Sequence, residues 1–173
     1  EHPPLPGHRS HFWLVPELSV ARTAAARAET TLTRFSRGVK LFTEGDYAGA
    51  LPLVSAPALA STSLADYAAY YTGLTQLRLE RLDEAKKTFD ALAERKLTGY
   101  LPEGIALRQA EVATARLDQQ SALAVLEPLT RQKTTAPEVI LMLAARAAQG
   151  AGEYDKAIAH FRRVYFEFPL SAE

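Results

Sequence analysis

Apolar residues recur along most of the chain with the period of an amphipathic α-helix. The clearest stretch places Leu82, Ala85, Phe89 and Leu92 on one helix face, at steps of three and four residues. This stretch begins with acidic residues and ends with basic ones, an order that suits the helix dipole. The pattern as a whole predicts eight helices, near residues 31–44, 47–56, 65–79, 82–95, 103–116, 119–131, 137–149 and 154–167.

A short motif recurs four times within this pattern, and each copy ends on an alanine. The four alanines lie 35, 37 and 35 residues apart, at Ala50, Ala85, Ala122 and Ala157. The positions twelve residues earlier are all small: Gly38, Gly73, Ala110 and Ala145. The positions four residues later are all apolar: Val54, Phe89, Leu126 and Phe161. Because a small residue lets two helix backbones approach closely, the repeat predicts four pairs of packed helices.

The turns inside these pairs are predicted to be short. Two copies carry a glycine there, Gly45 and Gly152, and the others are expected to use a polar substitute, because the C-terminus of a helix prefers a left-handed residue. Pro52 falls in the first turns of its helix, where proline costs little, whereas Pro57 is predicted to end that helix. One pair alone buries little apolar surface, so stability is expected to come from stacking against neighbouring pairs.

Charge and composition exclude several classes of function. Twenty basic and twenty acidic residues cancel, so no strong field attracts nucleic acid, and we expect no nucleic-acid partner. The absence of cysteine removes disulfides, thiolate metal ligands and thiol nucleophiles, and it leaves the compartment open. No apolar run approaches the roughly 20 residues that a membrane span needs. The chain starts at Glu1 rather than methionine, which we interpret as a mature protein or an excised fragment.

Residues 1–30 differ from the rest and are predicted to form an N-terminal extension. Their first part is rich in proline and is expected to be extended or disordered. An apolar cluster follows, and from Pro16 onward the pattern indicates a helix that caps the first pair. His2, His8 and His11 could bind a metal ion, but they lack the regular spacing of a metal site. We therefore expect no metal and no cofactor.

The repeat resembles the tetratricopeptide repeat family over residues 31–173. The fourth copy matches the family motif best, at Leu141, Ala144, Ala145, Gly152, Tyr154, Ala157, Phe161 and Pro169. The second copy also matches well, whereas the first carries extra prolines and the third lacks a glycine in its turn. The resemblance implies an all-α, right-handed α-solenoid of about four helical hairpins, with repeats near 31–64, 65–100, 101–136 and 137–173.

The same resemblance implies a concave groove that is lined by the first helix of each hairpin. Tyrosine and arginine are the residues that most often anchor interfaces, so they stand out at such positions. The groove candidates are Tyr67, Tyr70, Tyr71, Arg78, Arg108, Glu111, Arg146 and Gln149. By register, Leu107, Thr114 and Met142 fall on the same inner surface. Tyr70 and Tyr71 also have a second interpretation, in which they only fill the space between hairpins.

Known chemical motifs are not matched. The segment Gly150-Ala151-Gly152 begins like a phosphate-binding loop, but no strand precedes it and Asp155 stands where a third glycine belongs. The carboxylates fall among lysines and arginines on faces predicted to be solvated, unlike an acid–base pair in an apolar pocket. His160 is predicted to lie at the surface. Tetratricopeptide proteins that clamp a C-terminal carboxylate use lysine and asparagine where this chain has Phe35 and Val39. We expect neither a catalytic centre nor that clamp.

The last predicted helix carries a second, more specific resemblance. Residues 161–171 look like a segment of the helical superhelix that precedes the catalytic domain of soluble lytic transglycosylases, which are periplasmic enzymes that cleave peptidoglycan. That superhelix is non-catalytic, and the Glu-Ser pair of the family's catalytic motif does not occur in this chain. The resemblance implies a periplasmic scaffold for protein or ligand recognition beside a following catalytic domain. The alternative is a stand-alone tetratricopeptide adaptor, exported or cytoplasmic, that binds a peptide or helix in its groove.

Overall fold

The chain is α-helical throughout the part that the structure describes. A computed structural model describes residues 21–95 and 97–171, with side chains from residue 31 onward. Its α-helices are α1 Ala21–Thr43, α2 Tyr47–Val54, α3 Ala65–Arg78, α4 Leu82–Ala93, α5 Leu101–Ala115, α6 Gln119–Leu126, α7 Pro137–Gly150 and α8 Tyr154–Glu167. Short 3₁₀ helices follow α2 and α6, at Pro57–Ser61 and Leu129–Arg131. The all-helical prediction is confirmed for these residues, which contain no strand.

Two predicted helix boundaries differ from the structure by five residues or more, and the others by at most two. α1 includes residues from Ala21 onward, so the first repeat begins without a break at residue 30 and shares one helix with the predicted extension. α6 ends at Leu126 instead of 131, because Pro128 cannot donate the backbone hydrogen bond of a further turn. Pro57 does follow the end of its helix, as predicted. The proline-rich start, the apolar cluster after it and its three histidines lie outside the described residues.

The four helix pairs are closed by the same three-residue turn. Its middle residue has a positive φ in every case: 86° at Gly45, 59° at Glu80, 62° at Leu117 and 79° at Gly152. In the first turn Asp46 donates its N–H to the carbonyl of Leu41 at 2.9 Å, and Gly45 donates to Phe42 at 3.1 Å. The other three turns repeat both bonds, which together form the Schellman motif of helix ends. The third turn uses the exposed Leu117, so the expected polar substitute is wrong there.

Small residues packed against large ones bring the helices of each pair together. Gly73 on α3 is buried, and a Cβ added to it would lie 2.7–3.0 Å from the ring of Phe89 on α4. Gly38 on α1 has the same relation to α2, where a Cβ would lie 2.8 Å from Val54. The alanine that ends each motif copy is also buried, with no more than 3% of its surface exposed. The predicted close approach of paired helices is thus confirmed at these positions.

Shared apolar clusters join the pairs in chain order. One cluster combines Leu77 of α3, Phe89 of α4 and Ile105 of α5. The next draws its residues from α5, α6, α7 and α8. The third contains Leu141 and Met142 of α7 and Val164 of α8 and includes no further helix. Successive pairs therefore share their cores, and α7 and α8 close the series.

An uncovered apolar surface lies at that end, and we call it the terminal face. It is formed by Phe161, Tyr165, Phe166 and Phe168, and the buried Met142 and Val164 line its floor. Tyr165 and Phe166 are each 73% exposed, and their rings pack edge to face with centroids 5.0 Å apart. Met142, which register places on the predicted inner surface, is buried in a cluster with Leu141 and with Val164 of α8. The terminal face presents aromatic rings to solvent at the end of the helix series.

Candidate functional site

A cavity of about 530 Å³ lies between α5 and α7, and two residues of α6 complete its wall. We call it the α5/α7 cavity. Most of its surface is apolar, and the apolar residues lie one helical turn apart on α5 and on α7, so each helix presents a single face to it. These residues are Leu107, Ala110, Ala115, Leu126, Val139, Leu143 and Ala147. The polar lining consists of Arg108, Glu111, Thr114, Gln119 and Arg146.

The described lining of the cavity contains more cationic than anionic side chains. Glu111 is its one lining carboxylate, and Arg108 forms an ion pair with it. Arg78, reaching over from α3, donates to the other oxygen of Glu111 at 3.2 Å. Arg146 is exposed on α7 and forms no ion pair with any described residue. The carboxylate is thus shared by two guanidinium groups, and a third cation at the cavity has no anionic partner.

The groove candidates fall into two groups. Arg108, Glu111 and Arg146 line the α5/α7 cavity together with Leu107 and Thr114. The remaining candidates lie outside the cavity lining: Tyr67, Tyr70, Tyr71, Arg78 and Gln149. Arg78 still contacts the cavity through its bond to Glu111. Among the polar candidates, Arg108, Glu111 and Arg146 therefore come together where the third and fourth helix pairs meet.

Tyr70 and Tyr71 belong to an aromatic cluster between the first and second helix pairs. The Tyr71 ring packs edge to face on Phe35 and Phe42, with centroids 5.9 and 5.7 Å apart. The Tyr70 ring makes a similar contact with Phe89 at 5.9 Å. Both tyrosines are half-buried, as in the space-filling interpretation. Tyr67, by contrast, is 50% exposed.

Sequence reasoning missed an acid–base pair between the buried His160 on α8 and the half-buried Glu127, which directly follows α6. His160 was predicted at the surface, but it is only 7% exposed, because it shares the inward face of α8 with Ala157 and Val164. Its Nε2 lies 3.0 Å from a carboxylate oxygen of Glu127. Arg131 donates to the other oxygen at 3.2 Å. The recurrence of inward positions at steps of three and four was the signal that could have placed His160 correctly.

The surroundings of Glu127 favour its charged form. Partial burial would raise the pKa of this carboxyl, but the hydrogen bond and charge of His160, together with Arg131, outweigh burial and lower the pKa below its usual value. Lys156 and Arg163, on α8, are the other cations near this carboxylate. Neither Glu127 nor His160 lines the α5/α7 cavity. We therefore interpret the pair as a tie between the third and fourth helix pairs.

The variant Glu127→Gln should lose about 1 kcal/mol of unfolding free energy near neutral pH, because the charge-assisted bond to His160 disappears. A lowered native pKa stabilises the fold above the unfolded-state pKa, and this contribution is lost as pH falls through the native pKa. The difference from wild type should therefore shrink in acid. Urea unfolding at neutral pH and at about pH 3, below the ordinary pKa of a glutamate, measures it. Glu94→Gln, at an exposed position, serves as control, and a pH-independent deficit would contradict the ionic explanation.

Other kinds of site are not evident in the described ranges. Within residues 31–95 and 97–171, no group of three or more histidine, aspartate or glutamate side chains could hold a metal ion. None of the described helices combines the length and the apolar character needed to cross a bilayer. Compared with known protein families and curated protein sequences, the chain matches no family model and no curated sequence. The family resemblances given above rest on their quoted residues.

Proposed function

We propose that the chain is a non-catalytic helical-repeat scaffold that recognises a protein or peptide partner through the α5/α7 cavity. The observation that carries this proposal is one concavity with apolar walls and a few convergent charged groups, a composition typical of binding sites. Its residues come from the first helices of the third and fourth pairs, which are the inner helices of the right-handed tetratricopeptide solenoid that we propose for the chain. Several predicted groove residues thus meet in one place.

A binding role also fits the chemistry of the cavity better than catalysis does. Arginine stays protonated in proteins, so Arg108 and Arg146 can hold an anion but cannot exchange protons with a substrate. Glu111 forms ion pairs with both Arg78 and Arg108, so its two oxygens are occupied by contacts within the fold and are not free to meet a substrate. The acid–base pair Glu127–His160 lies outside the cavity. These features favour recognition without turnover.

A cavity-filling variant tests this function. A random peptide library displayed on phage is selected against the purified chain, and the selected peptides are measured by fluorescence polarisation. We expect Ala115→Trp, which fills the cavity from an exposed position on α5, to abolish binding. Ala91→Trp, at an exposed position of α4, should leave binding unchanged. Peptides that bind both variants equally, or a library that yields none, would overturn the proposed site.

The terminal face favours a more specific version of the proposal, the superhelical region of a periplasmic lytic transglycosylase. The segment that resembles those enzymes, residues 161–171, is also the one that exposes Tyr165 and Phe166. A surface of this kind suits contact with a following catalytic domain. The reading frame beyond Glu173 tests this version: a lysozyme-like domain with a catalytic Glu-Ser pair would support it. A stop codon or further repeats alone would overturn it and favour the stand-alone adaptor.

A further inference from the structure

The cation at the α5/α7 cavity that lacks a partner indicates what the cavity binds. Arg108 is already committed, since its guanidinium pairs with Glu111 and its side chain is 29% exposed. Arg146 stands across the cavity on α7, exposed and without an ion pair to any described residue. A carboxylate that pairs with Arg146 would break no existing ion pair. Because the guanidinium is exposed, the pairing would also cost little desolvation free energy. The charge of the site is thus complementary to an anion.

The apolar walls beside Arg146 set a second requirement for any ligand that fills the cavity. Val139 and Leu143 precede it on α7 at steps of seven and three residues, and Leu107 and Leu126 approach from α5 and α6. These residues form an apolar surface that a bare anion would leave uncovered. An occupant that uses the whole cavity therefore needs an apolar group next to its negative charge. A peptide segment offers both groups at a fixed separation when an acidic residue stands near a bulky apolar one.

We propose that the α5/α7 cavity binds a peptide segment of a partner protein in which an aspartate or glutamate side chain pairs with Arg146 while a neighbouring aliphatic or aromatic side chain fills the apolar wall. This inference rests on the proposed function and specifies the partner of the same site. Arg146 supplies a planar, bidentate donor set that matches a carboxylate. Arg108 and Arg78 remain on Glu111 and keep that carboxylate from repelling the incoming one.

Paired substitutions in protein and peptide test the contact. The probes are the phage-selected peptides, synthesised with acetylated N-termini and amidated C-termini so that side chains carry the only carboxylates. We expect the selected sequences to share an acidic residue within one to four positions of a bulky apolar residue. Replacing that acidic residue by its amide should weaken binding by up to about five-fold, the usual effect of losing an ion pair at an exposed site. The substitution Arg146→Gln should weaken binding of the unmodified acidic peptide by the same factor.

Combining the Arg146→Gln protein with the amide peptide isolates the contribution of the ion pair. The amide peptide should bind wild type and Arg146→Gln with the same affinity. Arg37→Gln, an exposed arginine on α1 with the same charge change, should bind the acidic peptide as wild type does. Affinity should also fall with added salt in wild type and much less in Arg146→Gln.

Three results overturn this inference, and they differ in what they say about the site. Peptides that Ala115→Trp excludes but that lack an acidic residue, or that bind Arg146→Gln normally, overturn the acidic partner and leave the recognition function standing. Peptides that Ala115→Trp does not exclude overturn the site and the inference together. Equal losses in Arg146→Gln and Arg37→Gln would show a general charge effect, which also overturns the assigned contact.

Discussion

Replacing Phe89 with alanine should lower the free energy of unfolding by about 3–5 kcal/mol, the largest effect we expect from a single truncation in this chain. The Phe89 side chain is fully buried on α4. Its ring contacts the backbone of Gly73 on α3, packs edge to face on Tyr70, and shares a cluster with Ile105 on α5. Removing the ring therefore leaves a cavity where three helices meet. These helices also pack against other parts of the shared cluster, which keeps them from moving together to fill it.

Urea unfolding followed by circular dichroism measures this loss. Phe166→Ala is the matched control, because it removes the same ring from a position that is 73% exposed. We expect the control to change the unfolding free energy by less than about 0.5 kcal/mol. Similar losses in the two variants would mean that α3, α4 and α5 do not share the core described here.

Gly73→Val should cost about 2–3 kcal/mol through overpacking. The first added carbon would lie 2.7 Å from the Phe89 ring, closer than two carbon atoms can stand without displacement. The ring cannot turn aside because it is completely buried. Glycine is otherwise a poor helix former, so a substitution here would stabilise α3 if space allowed it. Packing therefore decides that Gly73→Val lowers the unfolding free energy, although helix propensity alone would raise it.

A double-mutant cycle attributes the cost to the ring. Combined with Phe89→Ala, the valine at position 73 fills part of the space that the ring vacates, so the double variant should be more stable than the sum of the single losses implies. Ala91→Val, at an exposed position of α4, should cost only a few tenths of a kcal/mol. Strict additivity between positions 73 and 89 would show that the two residues are not in contact.

Most of the helical architecture could be predicted from the sequence because it depends on local spacing. The helices α3, α7 and α8 begin at the predicted residue, and their ends differ by at most one. The left-handed turns recur at a fixed position even where Glu80 and Leu117 replace glycine, since the hairpin geometry requires that conformation. The start of α1 was missed because an alanine-rich stretch continues a helix without any residue that would end it.

The candidate site could be predicted only in part. Helical register identified Arg108, Glu111 and Arg146 as inward residues, and the structure brings them to one cavity. The sharing of Glu111 between Arg78 and Arg108 depends on how far α3 and α5 are offset along their axes, which no spacing within one helix reveals. Register within α7 also could not show that Met142 packs with Val164 of α8, because that contact depends on how the two helices face each other.

The terminal face has a consequence for the order in which the chain opens. α4 and α5 lose apolar contacts on both sides when they unfold, whereas α8, among the helices that the structure describes, is packed on one side only. Local opening should therefore be easiest at α8, and its backbone amides should exchange with deuterium faster than those of α4 and α5. A partner on the terminal face would slow exchange in α8 without occupying the α5/α7 cavity. Slower exchange in α8 would thus report on a partner at the terminal face separately from a peptide in the α5/α7 cavity.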